Sequence, residues 1–197
     1  MDNGRIGHQH PAMWRVSSAR QGKSVSPSKQ TSLRPNLSAG ILAYRRGRRG
    51  LEVLLVHSGG PYWRNKDEGA WSIPKGLYEE SEDALAAARR EFEEETGAAP
   101  AGEFIPLGEF RQSSAKIVSV WAVEGEFDVT KLTSNTFALE WPPKSGKIND
   151  FPEIDRAAWF SPNEARRKIL KGQRSVLGAL IAKLGLPPQV GFSRLEY

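Results

Sequence analysis

Four glutamates, Glu91, Glu93, Glu94 and Glu95, crowd the stretch REFEEETG at residues 90–97. Gly97 reads as the stop of a helix, so the carboxylates occupy its last turns, where unpaired carbonyls already contribute about half a negative charge. Like charges at this spacing cost about 1 to 3 kcal/mol per pair across effective dielectrics from that of water to that of a protein surface. At 3.6 residues per turn, Glu91, Glu94 and Glu95 share one face and Glu93 points away. That face continues backwards as Ala84, Ala87 and Ala88, flanked by Leu85 and Phe92, where a solvated charged face would carry Lys or Arg. Surface pairing with Arg89 and Arg90 is one account, but those pairs run Arg before Glu, the weaker order, and two arginines cannot neutralise four carboxylates. A divalent cation is the sharper account. Hard oxygen ligands suit Mg2+ or Mn2+, and Mg2+ commonly bridges a few carboxylates to substrate phosphate oxygens. The chemistry implied is that of phosphate esters or phosphoanhydrides.

The elements that must position these residues follow from the flanking pattern. AGILAY and LEVLLVH read as two strands around the charged turn RRGRRG. The long Gly- and Pro-rich segment SGGPYWRNKDEGAWSIPKGLYEES follows, and a loop of that length inside a compact domain is usually functional. Within it, Gly76 permits a tight turn and close backbone approach, and Lys75 can balance phosphate charge. The spacing predicts a helix starting near Ser81, its expected N-cap, and ending at Gly97. EFIPLGEFR, KIVSVWAVEG, NTFALEWPP and AAWF read as further strands, and SPNEARRKILKG and RSVLGALIAKLG as two more helices. The expected class is α+β, a mixed or antiparallel sheet flanked by about three helices.

Composition sets the outer bounds. The chain has 197 residues, long enough for one well-filled core, and no cysteine, which removes disulfides and thiolate chemistry. The net charge of +5 lies entirely in residues 1–37, which hold six Lys and Arg against Asp2, while the remainder balances at 22 basic and 22 acidic residues. That segment reads as a disordered basic tail, and residues 38–197 as the domain. No apolar run approaches membrane-spanning length, so the expectation is a cytoplasmic soluble protein with no membrane partner. Nucleic acid is a weaker expectation, since only the tail is basic.

GLYEESEDALAAARREFEEETGA resembles the signature of the Nudix hydrolases, G-x5-E-x7-R-E-U-x-E-E-x-G-U with U a bulky apolar residue. Gly76, Glu82, Arg90, Glu91, Phe92, Glu94, Glu95 and Gly97 match; only Ala98 departs, being small where a bulkier residue is typical. The resemblance implies a Nudix fold, a mixed sheet sandwiched between helices, and Mg2+-dependent cleavage of a nucleoside diphosphate linked to another moiety. It makes Glu91, Glu94 and Glu95 metal ligands, gives the Gly76 carbonyl to the metal, and casts Arg90 as organiser of the glutamates with Glu82 in support. WSIPKG is similar to the W-x-x-P-K-G stretch of the diadenosine polyphosphate and diphosphoinositol polyphosphate hydrolases, which places Trp71 with Lys75 among the substrate-binding residues. PEIDRAAWFSPNEA is similar to a segment of the diadenosine polyphosphate branch, making Glu153 an extra metal ligand or the general base and Trp159 a packing residue. Ile154 and Asp155 replace the His that often follows that Glu.

Arg64, Lys66 and Lys144 are expected to hold distal phosphates, with Lys147 as a further candidate, and Tyr62, Trp63 or Trp141 to stack on a base. His57 reads as structural. The expected substrate is a small phosphorylated nucleotide, most simply a dinucleoside polyphosphate or nucleoside triphosphate. A nucleotide sensor without hydrolysis and an RNA 5'-end pyrophosphohydrolase guided by the basic tail are the alternatives.

Overall fold

The computed structural model describes residues 36–47, 50–113 and 116–187. The expected basic tail lies outside them except for Asn36 and Leu37, which already belong to the first strand, β1 (Asn36–Gly47). β2 (Gly50–Ser58) returns antiparallel to it. The long loop then contributes two short strands that the sequence pattern did not separate, β3 (Trp71–Ser72) and β4 (Lys75–Leu77). Helix α1 (Ala84–Thr96) follows, then β5 (Phe104–Ser113) and β6 (Lys116–Glu124). A hairpin of β7 (Thr136–Glu140) and β8 (Ile148–Pro152) precedes β9 (Ile154–Phe160), α2 (Pro162–Lys168) and α3 (Arg174–Lys183).

The main sheet is mixed, as expected, with order β3-β2-β1-β6-β5; β4 pairs with β1 and β9 with β2. β1 and β6 run parallel, with Gly40 opposite Val120, and the other pairings are antiparallel. The two-residue alternation of β1 divides the core. Ala39, Ile41 and Ala43 face α1, packing with Ala87, Ala88 and Phe92. Leu42 and Tyr44 face the other way, with Val118, Val120 and Ala122 of β6, against Ala165 of α2 and Val176, Leu177 and Leu180 of α3. The sheet is therefore apolar on both faces and covered by helix on both, so strands in its middle read as near-continuous apolar runs.

Three local expectations change. The N-cap of α1 is Asp83, whose carboxylate accepts the Ala86 amide at 2.8 Å, and not Ser81; a charged acceptor nearer the first helical residue wins the cap. Strand β9 begins at Ile154, earlier than the AAWF stretch, because it lies along β2. β8 was not separated from its surroundings, since INDFP is short, has no regular apolar alternation and lies in a two-stranded sheet with little buried on it.

Candidate active site

Helix α1 ends as its sequence requires. Gly97 sits at φ 78°, in the left-handed region, and its amide donates to the Glu93 carbonyl at 2.7 Å. Alanines at 87 and 88 let the helix lie close on β1, and this brings its charged face to the end of β4. Gly76 lies directly against that face. A methyl group at that position would overlap the carboxylate of Glu91, so any larger residue must push the acid aside. One residue earlier the Lys75 amide donates to Glu95 at 3.1 Å.

Glu91 is buried to 15% side-chain exposure, whereas Glu94 is 43% exposed. Arg90 gathers them: its guanidinium donates to Glu91 at 2.7 Å, lies 3.5 Å from Glu94 and 3.4 Å from Glu82, and reaches the Leu77 carbonyl at 3.5 Å. The pairing account of the sequence is thus half realised, because Arg89 turns away to lie over the Phe104 ring at 5.3 Å. Glu153, remote in sequence, stands between β8 and β9, fixed through its amide to the Asn135 carbonyl and through its own carbonyl to the Gly59 amide, both at 2.8 Å.

The electrostatics record the crowding. Burial pushes the Glu95 carboxyl up to about 7, opposed by Lys75 and reinforced by Glu91 and Glu153. Burial also raises Glu91, against the pull of Arg90. Glu153 is raised by burial first and then by the charges of Glu91 and Glu94. These mutual influences join Glu153 to the α1 trio.

Among the described residues, no three His, Cys, Asp or Glu side chains are grouped as ready metal ligands. The donor set still fits a hard divalent cation: carboxylates raised by burial first and by one another's charge second, beside a close approach of the backbone at Gly76.

The remaining sequence candidates separate. Trp71 is not a substrate platform. It is 4% exposed, its indole N–H donates to Asp67 at 2.9 Å, and its ring meets His57 and Phe160 edge-on, so it is a core residue whose faces are already covered. Lys75 is half-buried, and Arg64 and Lys66 are exposed on the loop after β2, Lys66 lying over the Trp63 ring at 4.6 Å. Lys144 is exposed at φ 64° in the turn of the β7–β8 hairpin. Tyr62 and Trp141 meet edge-to-face at 5.2 Å, linking loop and hairpin. Trp159 packs under Arg45 and donates to the Phe127 carbonyl.

His57 is structural, as expected: it is fully buried, with Nδ1 2.6 Å from Asp155 and Nε2 2.9 Å from the Lys66 carbonyl, so it ties the long loop to the strand that follows Glu153. Lys116, at the start of β6, is half-buried; burial and then Lys75 push it down to about 8, while Glu95 holds it up. Its only sequence signal was a charge heading the apolar run KIVSVWAV.

A mixed sheet between helices, with a carboxylate-bearing helix closed onto a glycine at a strand end, defines the architecture of phosphoanhydride hydrolases that the glutamate motif implied. The chain belongs to the Nudix family: the model of the NUDIX domain matches residues 34–180, and the protein is a Nudix hydrolase, a pyrophosphohydrolase acting on acid anhydrides. Solved structures share the fold. The Ap4A hydrolase of C. elegans in a binary complex aligns with TM-score 0.53 and 22% identity, over 75% of this chain and 98% of that one. The NUDIX domain of Shewanella oneidensis NrtR, complexed with ADP ribose, gives 0.53 and 14% over 76% and 88%. A mutT/nudix family protein from Listeria innocua gives 0.51 and 18% over 77% and 95%. No curated protein matches the sequence. No helix among the described residues is long and apolar enough to cross a membrane.

Proposed function

We propose that this hydrolase cleaves the phosphoanhydride of a nucleoside diphosphate linked to another moiety, with a dinucleoside polyphosphate or nucleoside triphosphate as the substrate class and Mg2+ or Mn2+ as cofactor, in the cytoplasm. The observation that carries the reading is the close approach of Gly76 to the Glu91 carboxylate, with Glu94, Glu95 and Glu153 near enough to influence one another's charge. Glu91, Glu94, Glu95 and the Gly76 carbonyl would hold the metal, with Glu153 as a further ligand or as the base. When bound, the cation offsets charge on the phosphate oxygens and lowers the pKa of the attacking water.

The chain's own residues do the rest. Arg90 spans Glu91, Glu94 and Glu82 and so fixes the acids relative to one another. Glu153 or a member of the helix trio takes the proton from water; Glu153 is suited because burial and its acidic neighbours raise its affinity for a proton. Lys75, whose amide donates to Glu95, would meet phosphate charge, and Arg64, Lys66 and Lys144, exposed on the loop and hairpin, would meet phosphates farther out. The resemblance in fold to the Ap4A hydrolase is consistent with this substrate class.

The test is a Mg2+-dependent hydrolysis screen over dinucleoside polyphosphates, nucleoside triphosphates, nucleoside diphosphate sugars, diphosphorylated polyols and capped RNA, with products identified by mass spectrometry. Release of a nucleoside phosphate supports the proposal. Binding of a nucleotide without turnover on any substrate returns the sensor reading.

A further inference from the structure

Strand β9 does not run along β2 as a regular ladder. From Val53 opposite Phe160 to His57 opposite Arg156 the pairing advances one residue for one; then Ser58 stands opposite Ile154, so Asp155 is an extra residue on β9. Such a bulge reverses the side to which everything before it points, and bulges gather next to active sites, where they re-aim a side chain. The residues before this one are Ile154, which is buried, and Glu153, the acid remote from α1. The ladder carries on past the bulge, because the Gly59 amide donates to the Glu153 carbonyl at 2.8 Å. Gly59 permits that closeness, since a Cβ there would overlap the Pro152 carbonyl oxygen.

The side chains at the bulge close on a single residue. Asp155 Oδ1 lies 2.6 Å from His57 Nδ1, the guanidinium of Arg156 lies 2.8 and 3.0 Å from the two ring nitrogens, and His57 Nε2 lies 2.9 Å from the Lys66 carbonyl. Adjacent side chains of a regular strand point to opposite faces, so it is the bulge that lets Asp155 and Arg156 meet the same imidazole. The ring is a fixed point, fully buried and edge-on to Trp71 at 5.2 Å. The Asp155 side chain is 25% exposed, so its bond to the ring, more than burial, holds the extra residue in place.

We propose that His57 and Asp155 are positioning residues for the hydrolysis: their bond locks the bulge in β9 and so aims Glu153 at the acids of α1. Were Asp155 absorbed into the ladder, Glu153 would point to the other side of its strand. As it stands, Glu153 feels the charges of Glu91 and Glu94. The same imidazole holds the Lys66 carbonyl, so the loop that carries Arg64 and Lys66 shares one anchor with the strand end that carries Glu153. His57 and Asp155 act through Glu153 and need touch no substrate atom. The inference rests on the role given above to Glu153, as ligand or base, and adds what sets its place.

A double-mutant cycle with Glu153 on the full chain tests this with two readouts: kcat and KM in Mg2+ on diadenosine tetraphosphate or ATP, whichever is cleaved faster, and Mn2+ affinity by calorimetry without substrate. Glu153→Gln should lower kcat or Mn2+ affinity. Asp155→Ala should lower the same quantity by about tenfold to a hundredfold, with KM nearly unchanged where that quantity is kcat. In the Glu153→Gln background it should change that quantity by less than about twofold. Asp155→Asn, whose amide oxygen still accepts from His57 Nδ1, should restore most of the loss. Melting curves give the folded fraction, and Asp155→Ser, too short to reach His57, takes the place of Asp155→Ala should the latter fail to fold. A residue that merely supports the fold would lower the melting temperature and add its full effect in the Glu153→Gln background. Additivity therefore overturns the proposal, as does wild-type behaviour of Asp155→Ala, and both leave the role of Glu153 standing. Wild-type turnover and Mn2+ affinity in Glu153→Gln remove that role, and the positioning proposal falls with it. If neither nucleotide is cleaved, the hydrolase reading fails on these substrates and the Mn2+ cycle decides the positioning.

Discussion

Helix α2 opens with a capping box between Ser161 and Glu164 and closes on Arg166, Arg167 and Lys168, so both ends complement the backbone dipole. Helix α1, nearly twice as long, has no acid in its first turn, no base in its last, and a crowd of glutamates where the dipole repels them. The two helices cover opposite faces of one sheet, so burial does not explain the contrast. Helix α2 places acid and base at the ends its dipole favours, while α1 sets its glutamates against the dipole with Arg90 as the arginine that gathers them. Sites of chemistry stand out as places where a local stability rule is broken while the fold around them obeys it.

The sharpest way to break this contrast is to neutralise one member of the α1 set. Glu94→Gln removes an exposed carboxylate that packs on little, so the melting temperature should hold while Mg2+-dependent hydrolysis falls by about two to four orders of magnitude. Near wild-type turnover would make the α1 cluster a surface feature like any other. Gly76→Ala attacks the same site from the strand. The added methyl overlaps Glu91, so the variant should lose about 1 to 3 kcal/mol in denaturant titrations and most of its activity together.

The cost of the crowding should appear as a pH dependence. Glu95 moves from an ordinary 4.5 to about 7 in the fold, and Glu91 and Glu153 move the same way. With raised folded-state values, the metal-free native protein holds more protons than the unfolded chain in that window. Stability from these groups is therefore full below about 4.5 and is lost as pH rises through about 7. Melts in EDTA between about pH 5 and pH 8 should show the decline, Glu95→Gln should flatten it, and saturating Mg2+ should raise the melting temperature most at the alkaline end. The smallest effect belongs to the well-behaved helix. Ser161→Ala should cost about 1 kcal/mol of stability by denaturant titration and leave kcat/KM unchanged.

Much of this was legible in the chain. The apolar runs of β1 and β2, the Gly97 stop, the Ser161 start of α2 and the one-sided spacing of Glu91, Glu94 and Glu95 are local properties, set by residue type, backbone sterics and helical period. The identity of the cap was less legible, since Ser81 and Asp83 both qualify and geometry chooses. Trp71, expected among the substrate-binding residues through W-x-x-P-K-G, is a core residue instead, because a tryptophan in a motif signals contact with substrate or packing equally well and only the covering by His57, Phe160 and Asp67 decides.

By itself the sequence determined the class of fold, the helix that carries the acids, and the kind of ion those acids suit, because each depends on residue type and on spacings of a few residues. The tertiary structure alone decided how closely Gly76 lies against Glu91 and that Lys75 and Lys116 come within reach of the charge of Glu95, and it brought Glu153, which the sequence resemblance had named, near enough to feel Glu91 and Glu94. Those relations run between strands far apart in the chain, and only pairing and packing bring such residues within reach of one another's charge.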